Sequence, residues 1–316
     1  MPLTQGLLYD FTAAHNEWNL DASDVNAFLA SIGHVRAPLN LRLKPGAHTL
    51  TEPWETIPDG QRIQIIGAPA TVPDPDLMTG DPVADRAYLE SCFGTVINLD
   101  CASLATMHDA GFGRVMNILT IGGVIGVDLE AARTWLHNVH MFGIVQQSFS
   151  VTSGSAVTTD FSVSHGRDGV LTNFCGSAWP IDFWACDMTG YAERANHGGG
   201  IYNQNKARAI RCTTGYNATD QGEIWGNGPL GGASEAIGCG RGLYSTRGTL
   251  RFEYGRFLSN DIGVEVRDFG WATVDNGEVT GNATWDLHTL EGGRIQKGSA
   301  TVGPKVLAEP DPPPIY

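Results

Sequence analysis

Gly200-Ile201-Tyr202, Gly222-Glu223-Ile224, Gly242-Leu243-Tyr244 and Gly263-Val264-Glu265 open four segments alike, and Asp286-Leu287-His288 continues the series without its glycine. The steps between these anchors are 22, 20, 21 and 23 residues. A period near 20 that drifts by a residue or two marks a solenoid, in which each turn of chain is one repeat. Short alternating runs lie inside the turns: Leu250/Phe252, Ala272/Val274 and Val264/Val266. Such runs, broken by Gly, Asn and Asp, read as strands joined by tight turns. Helical repeats of this length need longer stripes of period 3.6, and the sequence has none. The expected fold class is all-β, a parallel β-helix.

In that fold successive coils lie about 4.8 Å apart, and residues at equivalent places stack. One step after the anchors the expected inner stack is Ile201, Leu243, Val264, Leu287, and two steps further it is Asn203, Ser245, Val266, Thr289. The first is an apolar spine. The second is small and partly polar, and suits a narrow core. Glu223 falls where the spine needs an apolar residue, so the coil from Gly222 is read as slipped by one, with Ile224 inside.

Composition agrees with this reading. The 316 residues include 40 glycines, fitting a fold of many turns, and a solenoid grows by adding coils within one domain. With 42 % hydrophobic and 17 % charged residues the chain has the makings of a folded core. A net charge of −14 argues against a nucleic-acid partner and a basic membrane-binding face. It favours a neutral or cationic ligand, or one whose charge a metal offsets. No apolar run is long enough for a transmembrane helix. Residues 1–5 lack a basic start and an apolar stretch, so no secretory leader is expected. The six cysteines show no CxxC pair and no metal spacing; they read as free thiols filling narrow coils.

From the start of the chain, residues 22–32 read as a helix capped by Ser23 or Asp21, with Val25, Phe28, Leu29 and Ile32 on one face and Gly33 as its stop. The segment 1–36 would cover the apolar end of the first coil. The β-helix is expected over 37–303, beginning with Leu39-Asn40-Leu41-Arg42-Leu43 and Ile63-Gln64-Ile65-Ile66-Gly67. Residues 68–95 break the rhythm with Pro73-Asp74-Pro75-Asp76 and Gly80-Asp81-Pro82, a loop excursion with a helical turn over Ala84–Cys92. Coils resume at Thr95. The proline-rich tail 304–316 cannot continue a ladder.

The order of Tyr9-Asp10-Phe11, a capping helix, Leu39-x-Leu41, Ile57-Pro58-Asp59-Gly60 and Ile63-x-Ile65-x-Gly67 resembles the start of pectin-lyase-like, single-stranded right-handed parallel β-helix proteins. The resemblance covers about residues 7–67, plus the coil rhythm to about 303. That superfamily includes polysaccharide lyases, glycoside hydrolases and the trimeric tailspikes of bacteriophages. Asn19-Leu20-Asp21-Ala22-Ser23-Asp24 is a partial match to the Asp-Gly-x-x-Asp-Asp often found ahead of the helix. Ser164-His165-Gly166 is similar to the Gly-His-Gly of polygalacturonases, but no Asp-Asp pair lies in 95–165, so His165 is read as a turn residue. The aspartate cluster with which pectate lyases bind calcium is not assembled here. No metal and no cofactor is expected.

The candidate chemistry is carbohydrate recognition. Along Pro180-Ile181-Asp182-Phe183-Trp184-Ala185, with Ile181, Phe183 and Ala185 inward, Asp182 and Trp184 share the outer face. A carboxylate beside an indole is what a sugar site needs. Glu223 and Trp225 repeat the pairing, and Trp179, Tyr191 and Tyr202 complete the substrate-binding set with Trp184 and Trp225. Asp182, Glu223 and Asp187 are the candidate catalytic carboxylates. The resemblance implies a phage virion spike or tail-fibre protein, made in the host cytoplasm. It would be a homotrimer docked on other virion proteins, binding host surface polysaccharide with or without cleaving it, and with no nucleic-acid partner or membrane insertion. A free polysaccharide lyase or glycoside hydrolase, and a purely structural virion element, are the alternatives.

Overall fold

A computed structural model describes residues 17–32, 35, 38–57, 60–226 and 233–308. Tyr9-Asp10-Phe11, Gly33, Pro58-Asp59 and most of the proline tail lie outside the described residues. The chain folds as a right-handed parallel β-helix with few helices, and divides into two compact units, 1–167 and 168–316.

In the first unit, Leu39–Leu43 pairs in parallel with Ile63–Ile66, which pairs with Arg114–Ile121 and through it with Arg133–Phe142. The last two strands bend between two faces at Asn117 and Asn138, both at positive φ, and Asn138 Nδ2 donates to Asn117 Oδ1 at 3.2 Å. Asparagine tolerates that left-handed backbone better than most residues. The third face runs Trp54–Glu55, Ser103–His108, Ile125–Glu130, Gln147–Thr152.

Trp54–Glu55 is the first strand of that face, and the N-terminal helix closes it. A 3-10 turn, Ala22–Asp24, leads into the α-helix Val25–Ser31. Asn26 does for the edge what a next strand would: its Nδ2 donates to Pro53 O at 2.8 Å and its Oδ1 accepts from Glu55 N at 3.0 Å. Buried Trp54 donates to Ala22 O at 2.9 Å. Val25, Leu29 and Ile32 are buried as expected, whereas Phe28 is half-buried and Ala22 takes its place. No side-chain cap hydrogen bond forms at either helical start; Asp21 pairs instead with Lys44 at 3.1 Å.

The excursion leaves the ladder intact, because Gly46–Leu50 pairs directly with Thr95–Leu99 across it. Its helix spans Pro82–Cys92, two residues earlier than expected, with Pro82 in the first turn and Asp81 Oδ1 capping Val83 N and Ala84 N. Buried Asp85 fastens it: the carboxylate accepts from Thr79 N, Thr79 Oγ1 and Gly80 N, and meets His165 Nε2 at 2.8 Å. His165 is indeed a turn residue, at φ 53.

The second unit has three faces. The first is Ser177–Ile181, Gly200–Tyr202, Glu223–Trp225, Thr249–Glu253, Trp271–Asp275 and Arg294–Gln296. The second is Phe183–Cys186, Ala207–Ile210, Glu235–Ile237, Arg256–Leu258, Glu278–Thr280 and Thr301–Val302. The third is Asp168–Asn173, Tyr191–Ala195, Thr214–Thr219, Arg241–Thr246, Ile262–Arg267, Trp285–Thr289 and Val306–Ala308.

These faces correct the anchor series. Gly200 and Gly222 introduce strands of the first face, whereas Gly242, Gly263 and Asp286 lie on the third. The inner stack of the third face is Glu193, Tyr216, Leu243, Val264, Leu287, and that of the first is Ile201, Ile224, Leu250, Ala272. Ile224 is inside, but in register with Ile201; no slip is needed, and Glu223 simply points outward. Ser245, Val266 and Thr289 do stack, while Asn203 belongs elsewhere. All six cysteines are free thiols. Buried Cys212 and Cys239 join a corner ladder: Cys239 Sγ accepts from Cys212 N, Asn260 Oδ1 from Cys239 N at 2.8 Å, and Asn282 Oδ1 from Asn260 N at 3.0 Å.

Candidate functional site

On the first face of the second unit, Ala178, Ile201, Ile224 and Leu250 fill the core, so the residues beside them point outward. That alternation builds an aromatic row. Trp179 and Tyr202 have ring centroids 4.6 Å apart, and Tyr202 and Trp225 5.7 Å apart. The next coil continues the row with Arg251, in register with Trp225, its guanidinium carbon 5.1 Å from the Trp225 ring. Trp179 and Trp225 are 39 % and 38 % exposed, so both rings reach solvent beside their neighbours in the row.

Glu223 lies beside the row, in register with Gly200. Its carboxylate is 3.8 Å from Arg251 Nε. Burial, and then the negative charge of the nearby Glu223 carboxylate, raise the pKa of the Tyr202 phenol. Gly200 makes this packing possible. A Cβ there would lie 2.4 Å from Tyr202 Oη, so only glycine lets the tyrosine fold back across its own strand. The result is a strip of π-surface with one carboxylate acceptor and one guanidinium donor beside it. Flat apolar area next to charge-assisted hydrogen-bonding groups is the chemistry that holds a sugar ring.

The other expected site residues lie apart from this strip. Pro180–Ala185 is not one strand: Asp182 sits at a corner at φ 55, between Ser177–Ile181 and Phe183–Cys186. Pro180 is the buried residue of its strand end, Ile181 is half-buried, and Asp182 accepts from Asn205 Nδ2 at 2.6 Å. Trp184 belongs to the next face and is 6 % exposed, so it offers no platform. Glu223 aligns with Ser177, five residues before Asp182, which is roughly 16 Å at about 3.3 Å per residue. An acid and base pair for glycoside cleavage needs at most about 9.5 Å, and with two coils between them as well the structure does not bring these two residues together. Asp187 closes the second-face strand at φ 58 and is held by Arg211 at 2.8 and 2.7 Å. Tyr191 is on the third face under Arg194. Of the expected set, Trp179, Tyr202, Trp225 and Glu223 come together, and Asp182, Trp184, Asp187 and Tyr191 do not.

No family model matches the chain, and no curated protein sequence does. Among solved structures, the A-module of the mannuronan C-5 epimerase AlgE6 from Azotobacter vinelandii is similar. It is 11 % identical, covers 93 % of this chain and 97 % of that one, and has a TM-score of 0.32. That likeness assigns no residue role.

Sequence reasoning missed Arg251, which no motif marks. The row itself carries a signal. Trp179, Tyr202 and Trp225 are spaced by 23 residues each, one coil per step.

Among the buried ionisable groups off the strip, His140 and Glu193 are strongly shifted. His140 is neutral, its pKa pushed down to about 3 by burial and by the charge of His165, and it bridges Ser162 Oγ at 2.7 Å and Ser164 Oγ at 2.9 Å. Glu193 is pushed up to about 8 by burial. Both are satisfied best without charge, which fits roles in packing.

Proposed function

We propose that this chain binds a polysaccharide along the row Trp179, Tyr202, Trp225, with Glu223 and Arg251 taking hydroxyl or other polar groups of the sugar. The observation that supports this reading is an exposed aromatic row, continuous over three coils, that ends on a guanidinium. Rings of adjacent coils repeat along the axis at about 4.8 Å, so the row offers stacking area to successive units of a chain rather than to one monosaccharide. Binding without cleavage is the favoured form, because the three carboxylates assigned to catalysis do not share a place. The setting proposed is a phage particle, with a homotrimeric spike and a host surface glycan as ligand; its support is the resemblance carried by residues 7–67.

The test is Trp225→Ala and Trp179→Ala against a panel of immobilised host-surface polysaccharides. Loss of a stacking ring should weaken binding by on the order of 1–2 kcal/mol, with an unchanged β-sheet spectrum. Wild-type binding by both variants would place the ligand elsewhere. Reducing-sugar release by the wild type would overturn the non-cleaving form. Light scattering that gives one 33.8 kDa chain would overturn the trimer.

A further inference from the structure

The third face of the second unit carries a second group of side chains that the aromatic row does not use. Tyr191, Thr214 and Arg241 share one register position, and Arg194, Asn217, Tyr244 and Glu265 share another. In both rows the coil of Thr214 and Asn217 carries short side chains, and both are buried. The coils on either side each carry an arginine–tyrosine pair. The Arg194 guanidinium carbon is 4.9 Å from the Tyr191 ring, and that of Arg241 is 4.9 Å from the Tyr244 ring. Two coils separate the pairs, about 9.6 Å of rise.

Each guanidinium is anchored at one end. Arg194 donates from Nε to Asn196 Oδ1 at 3.1 Å. Arg241 donates from Nε to Glu265 Oε2 at 2.8 Å, and Arg267 donates from Nε to the other oxygen of that carboxylate. Among the described residues, the terminal nitrogens of these three arginines make no hydrogen bond. The carboxylates nearby are already engaged and buried: Glu265 by the two arginines, and Asp168 by the Tyr191 amide at 3.1 Å. Three fixed cations therefore present open donor forks on a chain of net charge −14.

We infer that this part of the third face is an oxyanion site, taking the carboxylate, sulfate or phosphate group of a ligand between Arg194 and Arg241. A guanidinium fork matches two oxygens of such a group, and a fork already oriented by its Nε loses less freedom on binding.

Calorimetric titration of the full chain with sodium acetate, sulfate and phosphate, against sodium chloride at equal ionic strength, tests the site. Saturable binding is expected for at least one oxyanion and not for chloride, and the anion that binds identifies the group. Arg194→Gln should weaken it at least about tenfold, the loss expected for a charge-assisted hydrogen bond. Arg241→Lys keeps a cation beside Glu265 but loses the fork, and should weaken it similarly while the protein stays folded. Trp225→Ala should leave it unchanged, which separates this site from the aromatic row. Equal heats for chloride and the oxyanions, or unchanged binding in both arginine variants, would overturn the inference.

Discussion

Glu193→Gln should make this protein more stable at pH 8 while changing little at pH 5. Glu193 stands in the inner row of the third face, in register with Val170 and Tyr216, and is fully buried. Its Oε2 accepts from Asn203 Nδ2 at 2.9 Å. Its Oε1 and Asn203 Oδ1 are both buried acceptors without a donor. A proton on Oε1 supplies one. Burial, opposed only by the Asn203 hydrogen bond, moves the carboxyl from its ordinary 4.5 to about 8. Between those values the folded chain keeps a proton that the unfolded chain has released. Stability is therefore fully present below about pH 4.5 and falls as pH rises toward 8. At about 1.36 kcal/mol per pH unit, and with the carboxyl half-ionised near pH 8, the loss between pH 5 and 8 is on the order of 3–4 kcal/mol. Glutamine keeps the shape, donates where the protonated acid would, and has no proton to lose. Urea unfolding followed by circular dichroism at pH 5, 6, 7 and 8 reads the difference. Repulsion among the other charges is common to both proteins and cancels. Parallel profiles for the two would mean that the folded chain holds Glu193 ionised at little cost, and would refute the reasoning.

Gly200→Ala should displace Tyr202, because the added methyl would sit 2.4 Å from the phenol oxygen; the near-ultraviolet circular dichroism of the row should change and polysaccharide binding should fall with it. A variant that keeps both would show that Tyr202 does not need the glycine. Asp85→Asn should loosen the excursion 68–94 while the coils persist, since one carboxylate there serves Thr79, Gly80 and His165. Hydrogen bonds to a charged group contribute about 1.5–3 kcal/mol each, so limited proteolysis should cut the variant in this segment first; equal cleavage of both proteins would count against the latch. Burial disfavours the Asp85 anion, but the Thr79, His165 and Gly80 hydrogen bonds outweigh it and lower its pKa below 3.8. The wild-type latch should therefore hold above that value and release as pH falls through the lowered one.

The sequence by itself determined the coil. A repeat of 20 to 23 residues, glycine at the turns and apolar residues on alternate positions are local signals, and they place Leu243, Val264 and Leu287 in one stack without any knowledge of the rest. The capping helix was legible for the same reason, since Val25, Leu29 and Ile32 already lie on one side of it. What the tertiary structure decided is which coils align and where the chain turns between faces. Gly200 and Gly242 look alike in sequence yet start strands on different faces, because loops of unequal length reset the alignment. Asp182 reads as the outward residue of a strand, but aspartate also tolerates a positive φ, and there it makes a corner. That corner sends Trp184 to another face and leaves Trp179 as the first ring of the row. Net charge shows the same division. The total of −14 favours a neutral or cationic ligand, while stacking sets Arg194, Arg241 and Arg267 together on one face and buries the carboxylate between two of them. Charge composition is a sum over the chain, but a ligand meets only the few groups that neighbouring coils bring to one place.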